Sequence, residues 1–454
     1  MADFFHSVTL DESKCVGCTN CIKRCPTEAI RVRDRKARII SERCIDCGEC
    51  IRVCPHHAKR AIHTPMSALE NFEYTIALPA PTLYGQFNNL DDIDYVINGL
   101  RNIGFDRIYE VSRAAELVSE ATRKLLERAD LPRPLISSAC PVVVRLIRVR
   151  FPELCDHVLP LCSPMEVAAH IAKQEAVRRT GLPIEKIGCF FITPCPAKVT
   201  DITMPIGIEK SMVDGAIAIS ELFPVLSKAM DQLEDAELVP LARSGIIGVS
   251  WSTSGGESSA LLTDKYLAAD GVENIIHVLE EVEDERIGDL DYIELNACAC
   301  GCVGGVLCVE NPYIAKARIQ RLRKYLPVAK NHLKNNRIPE AMEWTQALQF
   351  SNVLTLSEDL GEAMEMMAAI DEKVKRFPGL DCGACGAPSC GAFAEDVVRG
   401  HRREEGCIFV YRKKMKRVAD TISEMYGEIM PDARPRKLWN SQEETEEKEG
   451  TVQE

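Results

Sequence analysis

The sequence predicts a two-lobed α/β domain built on parallel sheets, with a small α+β head before it and a small helical module after it. Three observations predict this. Between about Tyr74 and Tyr325, short apolar runs alternate with helical stretches, the order expected of strand–helix–strand units. Ahead of them, two four-cysteine segments repeat at a 29-residue offset. Behind them, a third cysteine group sits among glycines. The boundaries read as 1–70 for the head, 71–360 for the two lobes, 361–430 for the tail module, and 431–454 for an acidic segment expected to be disordered.

The head carries Cys15, Cys18, Cys21 and Cys25 before Pro26, then Cys44, Cys47, Cys50 and Cys54 before Pro55. Both runs read C-x2-C-x2-C-x3-C-P. A zinc site calls for pairs of ligands with long spacers, not two such runs. The spacing resembles that of two-cluster bacterial ferredoxins, in which the thiolate before proline crosses to the other centre. The resemblance implies one [4Fe-4S] centre on Cys15, Cys18, Cys21 and Cys54. It implies a second on Cys44, Cys47, Cys50 and Cys25. His56 and His57 then face solvent, because cysteines fill every corner.

In the middle of the chain, candidate strands are residues 74–80, 107–111, 134–140, 187–195, 214–220, 246–250 and 292–298. Candidate helices begin near Asp91, Ser112, Pro141, Pro164, Ser220, Glu257 and Asn311. Parallel sheets gather ligands at the C-terminal ends of their strands. Cys140, Cys195 and Cys298 each end a predicted strand, and Cys302 lies four residues beyond Cys298. Four thiolates from three loops can hold one cubane between two lobes.

The segments ISSACP, TPCPAK and ELNACACGCVGG resemble, in order, the three motifs of [FeFe]-hydrogenases, TSCCP, MPCxxKxxE and ExMACxxGCxxGG. The resemblance covers roughly residues 75 to 320. It implies that Cys140, Cys195, Cys298 and Cys302 hold the cubane of an H-cluster. Cys302 would also bridge to a diiron unit bearing CO, cyanide and azadithiolate. It implies that Lys198 contacts an iron-bound cyanide. Ala80, Pro81 and Thr82 resemble an Ala-Pro-Ser segment lining the same pocket, and Ser252 to Gly256, with Ser254, Gly255 and Gly256 among them, resemble its Gly/Thr-rich loop. Either segment could instead be ordinary turn chemistry.

The chain departs from the family pattern at several positions. Ala139 stands where efficient members carry a proton-passing cysteine, and a methyl group relays no proton. Thr193 and Asn296 replace two methionines, and Asp201 replaces a glutamate. These departures resemble the sensory, group D type. They imply slow, reversible hydrogen oxidation and proton reduction, with hydrogen level reported to a regulatory protein. Cys300 has no family counterpart and reads as a relay or a structural thiol. Glu257 reads as a second relay candidate or as a solvated carboxylate at a helix start. Cys155, Cys162, Cys189 and Cys308 read as core or neighbouring thiols.

The tail cysteines are Cys382, Cys385, Cys390 and Cys407, spaced C-x2-C-x4-C-x16-C. They resemble the small iron–sulfur module appended to several anaerobic redox proteins and imply one further [4Fe-4S] centre, with a zinc knuckle as the alternative. A basic amphipathic stretch after Tyr411 is predicted helical.

Composition bounds the rest. With 55 Lys and Arg against 68 Asp and Glu, the net charge is −13. That argues against nucleic acid or an anionic membrane as the main partner. No apolar run approaches the roughly 18 residues of a spanning helix, and the N-terminus does not read as a signal peptide. A cytoplasmic protein is expected, whose 21 cysteines hold metal rather than disulfides. Expected partners are H2 and protons, a ferredoxin or signalling protein as redox partner, and hydrogenase maturation proteins. Homo-oligomerisation stays open.

Overall fold

The 29-residue repeat becomes structure at once in the head. Strands β1 (Val8–Leu10), β2 (Ile30–Arg33), β3 (Lys36–Ile39) and β4 (Lys59–Ala61) form two antiparallel pairs, β1 with β4 and β2 with β3. Each Cys-Pro run leads directly into a strand, β2 after Pro26 and β4 after Pro55. His56 and His57 are exposed. The computed structural model describes residues 5–234 and 238–429. The acidic segment 431–454 lies outside the described residues.

Seven strands follow: β5 (Tyr74–Pro79), β6 (Arg107–Ile108), β7 (Leu135–Ile136), β8 (Ile187–Thr193), β9 (Gly215–Ala218), β10 (Tyr266–Asp270) and β11 (Tyr292–Asn296). They make two parallel sheets, ordered β6-β5-β8-β9 and β10-β11-β7. All seven residues of β8 are buried, as expected of a central parallel strand covered on both faces. Alternate side chains serve opposite layers. Cys189 and Phe191 pack toward helices Val111–Leu126 and Pro164–Thr180. Phe190 and Ile192 pack toward Asp94–Asn102 and Ile219–Asp231. In the second sheet, Ile293 and Leu295 pack on helices Pro141–Arg150 and Val272–Glu283.

Several local expectations shift. Residues 246–250, predicted as a strand, form a short helix, Ile246–Ser250. Val249 is buried, Ile246 and Ile247 are half-buried, and Gly248 lies against Ser112, where a Cβ would meet the carbonyl oxygen at 2.0 Å. Strand β10 escaped prediction because it is a half-buried edge whose apolar run, Tyr266 to Ala269, is short and half alanine. The runs at 107–111 and 134–140 contribute only two strand residues each. The helix predicted near Glu257 is a single 3-10 turn, Ser258–Leu261.

The chain divides into two compact units, one reaching from the N-terminus to Ala363 and the other starting at Met364. In the second, Phe377 and Phe393 meet at a tilt of 52° with ring centroids 5.2 Å apart, Lys373 pairs with Glu404, and Ile408–Ile429 forms one 22-residue helix. No helix among the described residues is long and apolar enough to cross a membrane.

Candidate metal centre

The strand ends meet. A cavity of about 110 Å³ is bordered by the loops after β5, β7, β8 and β11 and carries Cys140, Cys195, Cys298 and Cys302 on its wall. Proline starts two of the helices that leave these loops, Pro141 and Pro196, where a missing N–H costs nothing. The thiols are close enough to act on one another. Burial first, then Cys140, pushes the Cys195 thiol up to about 12. Burial, then Cys195, Cys302 and Cys140, raises Cys298. Cys302 has a large accessible surface, yet that surface faces the cavity, and burial raises its thiol too. The thiols of Cys195, Cys298 and Cys302 become thiolates only against concentrated positive charge, which bound iron supplies.

Other wall residues fit a polar, anionic occupant. Thr82 Oγ1 and Ser163 Oγ line the cavity and are buried without a hydrogen-bond partner, a condition that ordinarily signals a missing ligand. Lys198 is buried beside them and pairs with Asp201 at 3.1 Å. Burial works against its charge, and Asp201 more than offsets that, so the ammonium is held above its ordinary range. Ala80 and Pro81 also line the wall.

Ala139 and Asn296 face the same space. The Asn296 amide donates to Glu294 at 2.9 Å. Thr193 and the glycine-rich triplet Ser254, Gly255 and Gly256 do not line it. The Thr193 hydroxyl instead accepts from Cys195 N and donates to Cys195 O, each at 3.0 Å, bracing the cysteine loop. Trp251 and Ser252 supply the wall where the triplet was expected. Cys300 is buried among Leu83, Val249 and Val303, away from the cavity.

Glu257 is not solvated, contrary to one reading of the sequence. It is buried, borders the cavity, and is the single carboxyl on the wall among the described residues. Ser137 Oγ donates to both its oxygens at 2.9 Å, and the Tyr292 hydroxyl donates to it as well. Burial, then the nearby Glu294, pushes it up to about 8. Sequence reasoning could not find Ser163, which no motif places beside the cysteines, or the Glu257–Tyr292 contact, whose partners lie 35 residues apart.

In the head, Cys15, Cys18, Cys21 and Cys54 border one small cavity. Cys18 is exposed, the only one of the eight head cysteines that is. Cys44, Cys47, Cys50 and Cys25 form the other group: burial, then Cys25 and Cys50, raises Cys47. Cys47 packs in the same apolar cluster as Cys140 and Cys195. The second group is thus the one beside the lobe cavity. Three contacts hold it there. Buried Asp46 accepts from Ser7 N and Val8 N at 3.0 Å and from Thr200 Oγ1 at 2.7 Å. Ser7 Oγ donates to Pro196 O at 2.7 Å. Arg52 donates to Gly304 O at 2.7 Å.

In the tail unit, Cys382 is exposed, Cys385 and Cys390 are half-buried, and Cys407 is buried. Asp381 accepts from Cys390 N at 2.6 Å, and Cys407 immediately precedes the long helix.

Comparison with known proteins agrees with this arrangement. The C-terminal domain of the iron-only hydrogenase large subunit matches residues 73–266, a 4Fe-4S dicluster domain matches 7–55, and an Fe-S cluster domain matches 377–409. Iron hydrogenase 1 of Clostridium pasteurianum is 26% identical over 323 residues, 63% of this chain and 55% of that protein. This chain therefore spans just over half the length of that relative. The periplasmic [Fe] hydrogenase large subunit of Nitratidesulfovibrio vulgaris is 28% identical over 296 residues, 59% of this chain and 70% of its own. Among solved structures, an [FeFe]-hydrogenase from Chlamydomonas reinhardtii aligns with TM-score 0.45 and 15% identity over 58% of this chain and 90% of that one. With its motif cysteines around one cavity and these domains in this order, the chain is similar to the iron-only hydrogenases, over residues 73–266 in particular.

Proposed function

We propose that this chain is a slow, hydrogen-sensing [FeFe]-hydrogenase of the group D type. The observation that carries the reading is the meeting of Cys140, Cys195, Cys298 and Cys302 with Lys198 around a cavity whose wall has alanine at 139. The four cysteines would hold the H-cluster cubane, Cys302 shared with the diiron unit. When bound, that cluster supplies heterolytic cleavage of H2 and its reverse.

The chain's own residues do the rest. Lys198, anchored by Asp201, offers a buried cation to an anionic ligand, each offsetting the other's desolvation. Thr82 and Ser163 offer hydroxyls to polar ligand atoms. Ala139 offers no proton. Glu257, held neutral by burial, carries a proton at its carboxyl on the cavity wall and exchanges it through Ser137 or Tyr292. Asn296 brings a hydrogen-bonding group where an apolar methionine would shield the cluster, which shifts its potential, while Thr193 braces the Cys195 loop. The Cys25 group of the head is the nearest route for electrons, and the Cys54 group the next.

Infrared spectroscopy of the matured chain tests the reading. Bands of iron-bound CO and cyanide are expected, with low turnover in both directions. Their absence would leave a non-catalytic iron–sulfur electron-transfer or assembly protein. High turnover would make it a metabolic enzyme. The tail centre on Cys382, Cys385, Cys390 and Cys407 would carry the signal to a partner. Truncation after Phe377 should abolish partner binding while hydrogen oxidation persists; unchanged binding refutes the signalling role.

A further inference from the structure

The repeat in the head is broken at one buried position. An offset of 29 residues sets Lys59 where the first half has Ile30. Both follow Cys-Pro-x-x-Ala and both open a strand, β4 and β2. Lys59 is 3% exposed, and its Nζ has no hydrogen-bond partner. It lines the small cavity shared by Cys15, Cys18, Cys21 and Cys54. Its charge acts on the thiols of Cys21, Cys50 and Cys54. A buried ammonium without a counter-charge is costly. A [4Fe-4S] centre on four thiolates supplies one: it is a dianion when oxidised and a trianion after gaining an electron. The cation therefore favours the reduced form, and net charge around a cluster sets its potential.

We propose that Lys59 raises the reduction potential of the Cys15–Cys18–Cys21–Cys54 centre above that of its neighbour. One electron then leaves the reduced Cys25–Cys44–Cys47–Cys50 centre, returning it to the dianion, and rests on the outer one. This deepens the proposed function, since it takes the lobe cavity as the source of electrons. The test is a redox titration of the holoprotein followed by electron paramagnetic resonance. In Lys59→Met, which keeps the volume, and Lys59→Ile, which copies the repeat, one centre should become harder to reduce. Its reduced-to-oxidised ratio at fixed potential should fall at least tenfold, which is about 59 mV for one electron. The shifted signal should be the one altered by Cys18→Ala. Unchanged potentials with full iron content, or a shift confined to the other head centre, would overturn the assignment. Missing CO and cyanide bands would defeat the proposed function and leave this outcome readable.

A separate observation concerns the last helix. Ile408, Tyr411, Met415, Val418, Ile422 and Met425 recur at alternating steps of three and four, the seam of a two-stranded coiled coil. They are 46 to 60% exposed. Charge is segregated lengthwise: Arg412, Lys413, Lys414, Lys416 and Arg417 precede Asp420, Glu424 and Glu428, with no mixing. We infer that this seam pairs antiparallel with the same seam of a second copy of the chain, setting each basic half against an acidic one. Parallel pairing would juxtapose like charges, and an anionic bilayer would repel the acidic half. A two-fold contact of this kind is self-complementary. The two Cys407 ends would lie about 33 Å apart along the rod.

Sedimentation equilibrium of the full holoprotein should find a dimer whose affinity falls as salt screens the attraction. Val418→Glu with Ile422→Glu should give a monomer with unchanged cluster absorbance. A wild-type monomer at all concentrations, a dimer insensitive to that double substitution, or affinity that rises with salt would overturn the inference. So would monomeric chain sedimenting with phosphatidylserine vesicles.

Discussion

Ala139 and Glu257 border the same cavity with opposite capacities. The methyl group of Ala139 moves no proton. Ala139→Cys should therefore raise hydrogen oxidation by about a hundredfold, the lower end of general acid–base effects; a flat rate would send proton traffic elsewhere. Glu257 has an ordinary value of 4.5 and a folded value of about 8. Its neutral form is the favoured one in the folded chain. Its contribution to stability is thus complete below the ordinary value and is lost as pH rises through the folded one. Glu257→Gln stays neutral throughout. Its melting temperature should decline less than wild type between about pH 4.5 and pH 8, and its turnover should lose the corresponding pH dependence. Identity at position 139 was legible in the sequence, because a motif gives each neighbour a place. Burial of Glu257 was not, because it depends on Ser137 and Tyr292, 120 and 35 residues away.

The strands β7, β8 and β11, each followed within four residues by a cysteine of the cavity, are the elements on which the site depends. Their spacing and apolar runs were readable, since a buried parallel strand such as Ile187–Thr193 needs little from its partners to declare itself. Short edges were not: β10 has a short run that is half alanine, and Ile246–Ser250 is helical, with Gly248 close against a neighbouring helix. The loop after β8 carries its own brace, the two Thr193 hydrogen bonds to Cys195. Thr193→Val keeps the shape and removes both. A loss of about 1–3 kcal/mol is expected, read as a lower melting temperature. Weaker retention of cavity iron during chelation should accompany it. Equal retention would mean that the strand alone positions Cys195.

At the scale of the whole first unit, the head is fastened to the lobes by Asp46, Ser7 and Arg52. None of these was legible as a joint. Ser7 and Asp46 look like ordinary surface residues until Thr200 and Pro196 arrive beside them. Asp46→Ala removes the acceptor of Val8 N and of the Thr200 hydroxyl in a buried place and leaves Ser7 N with Thr200 Oγ1 alone. Hydrogen–deuterium exchange catalysed at the cavity should persist, while electron delivery from H2 to an external dye should slow several-fold. Parallel loss of both would mark a folding defect instead.

Cys18 alone breaks the surface among the eight head thiols. Dioxygen arriving from solvent will therefore meet that corner before any other in the head. Iron bound in the head should therefore leave in sequence during exposure to air, the group of Cys15, Cys18, Cys21 and Cys54 before that of Cys25, Cys44, Cys47 and Cys50.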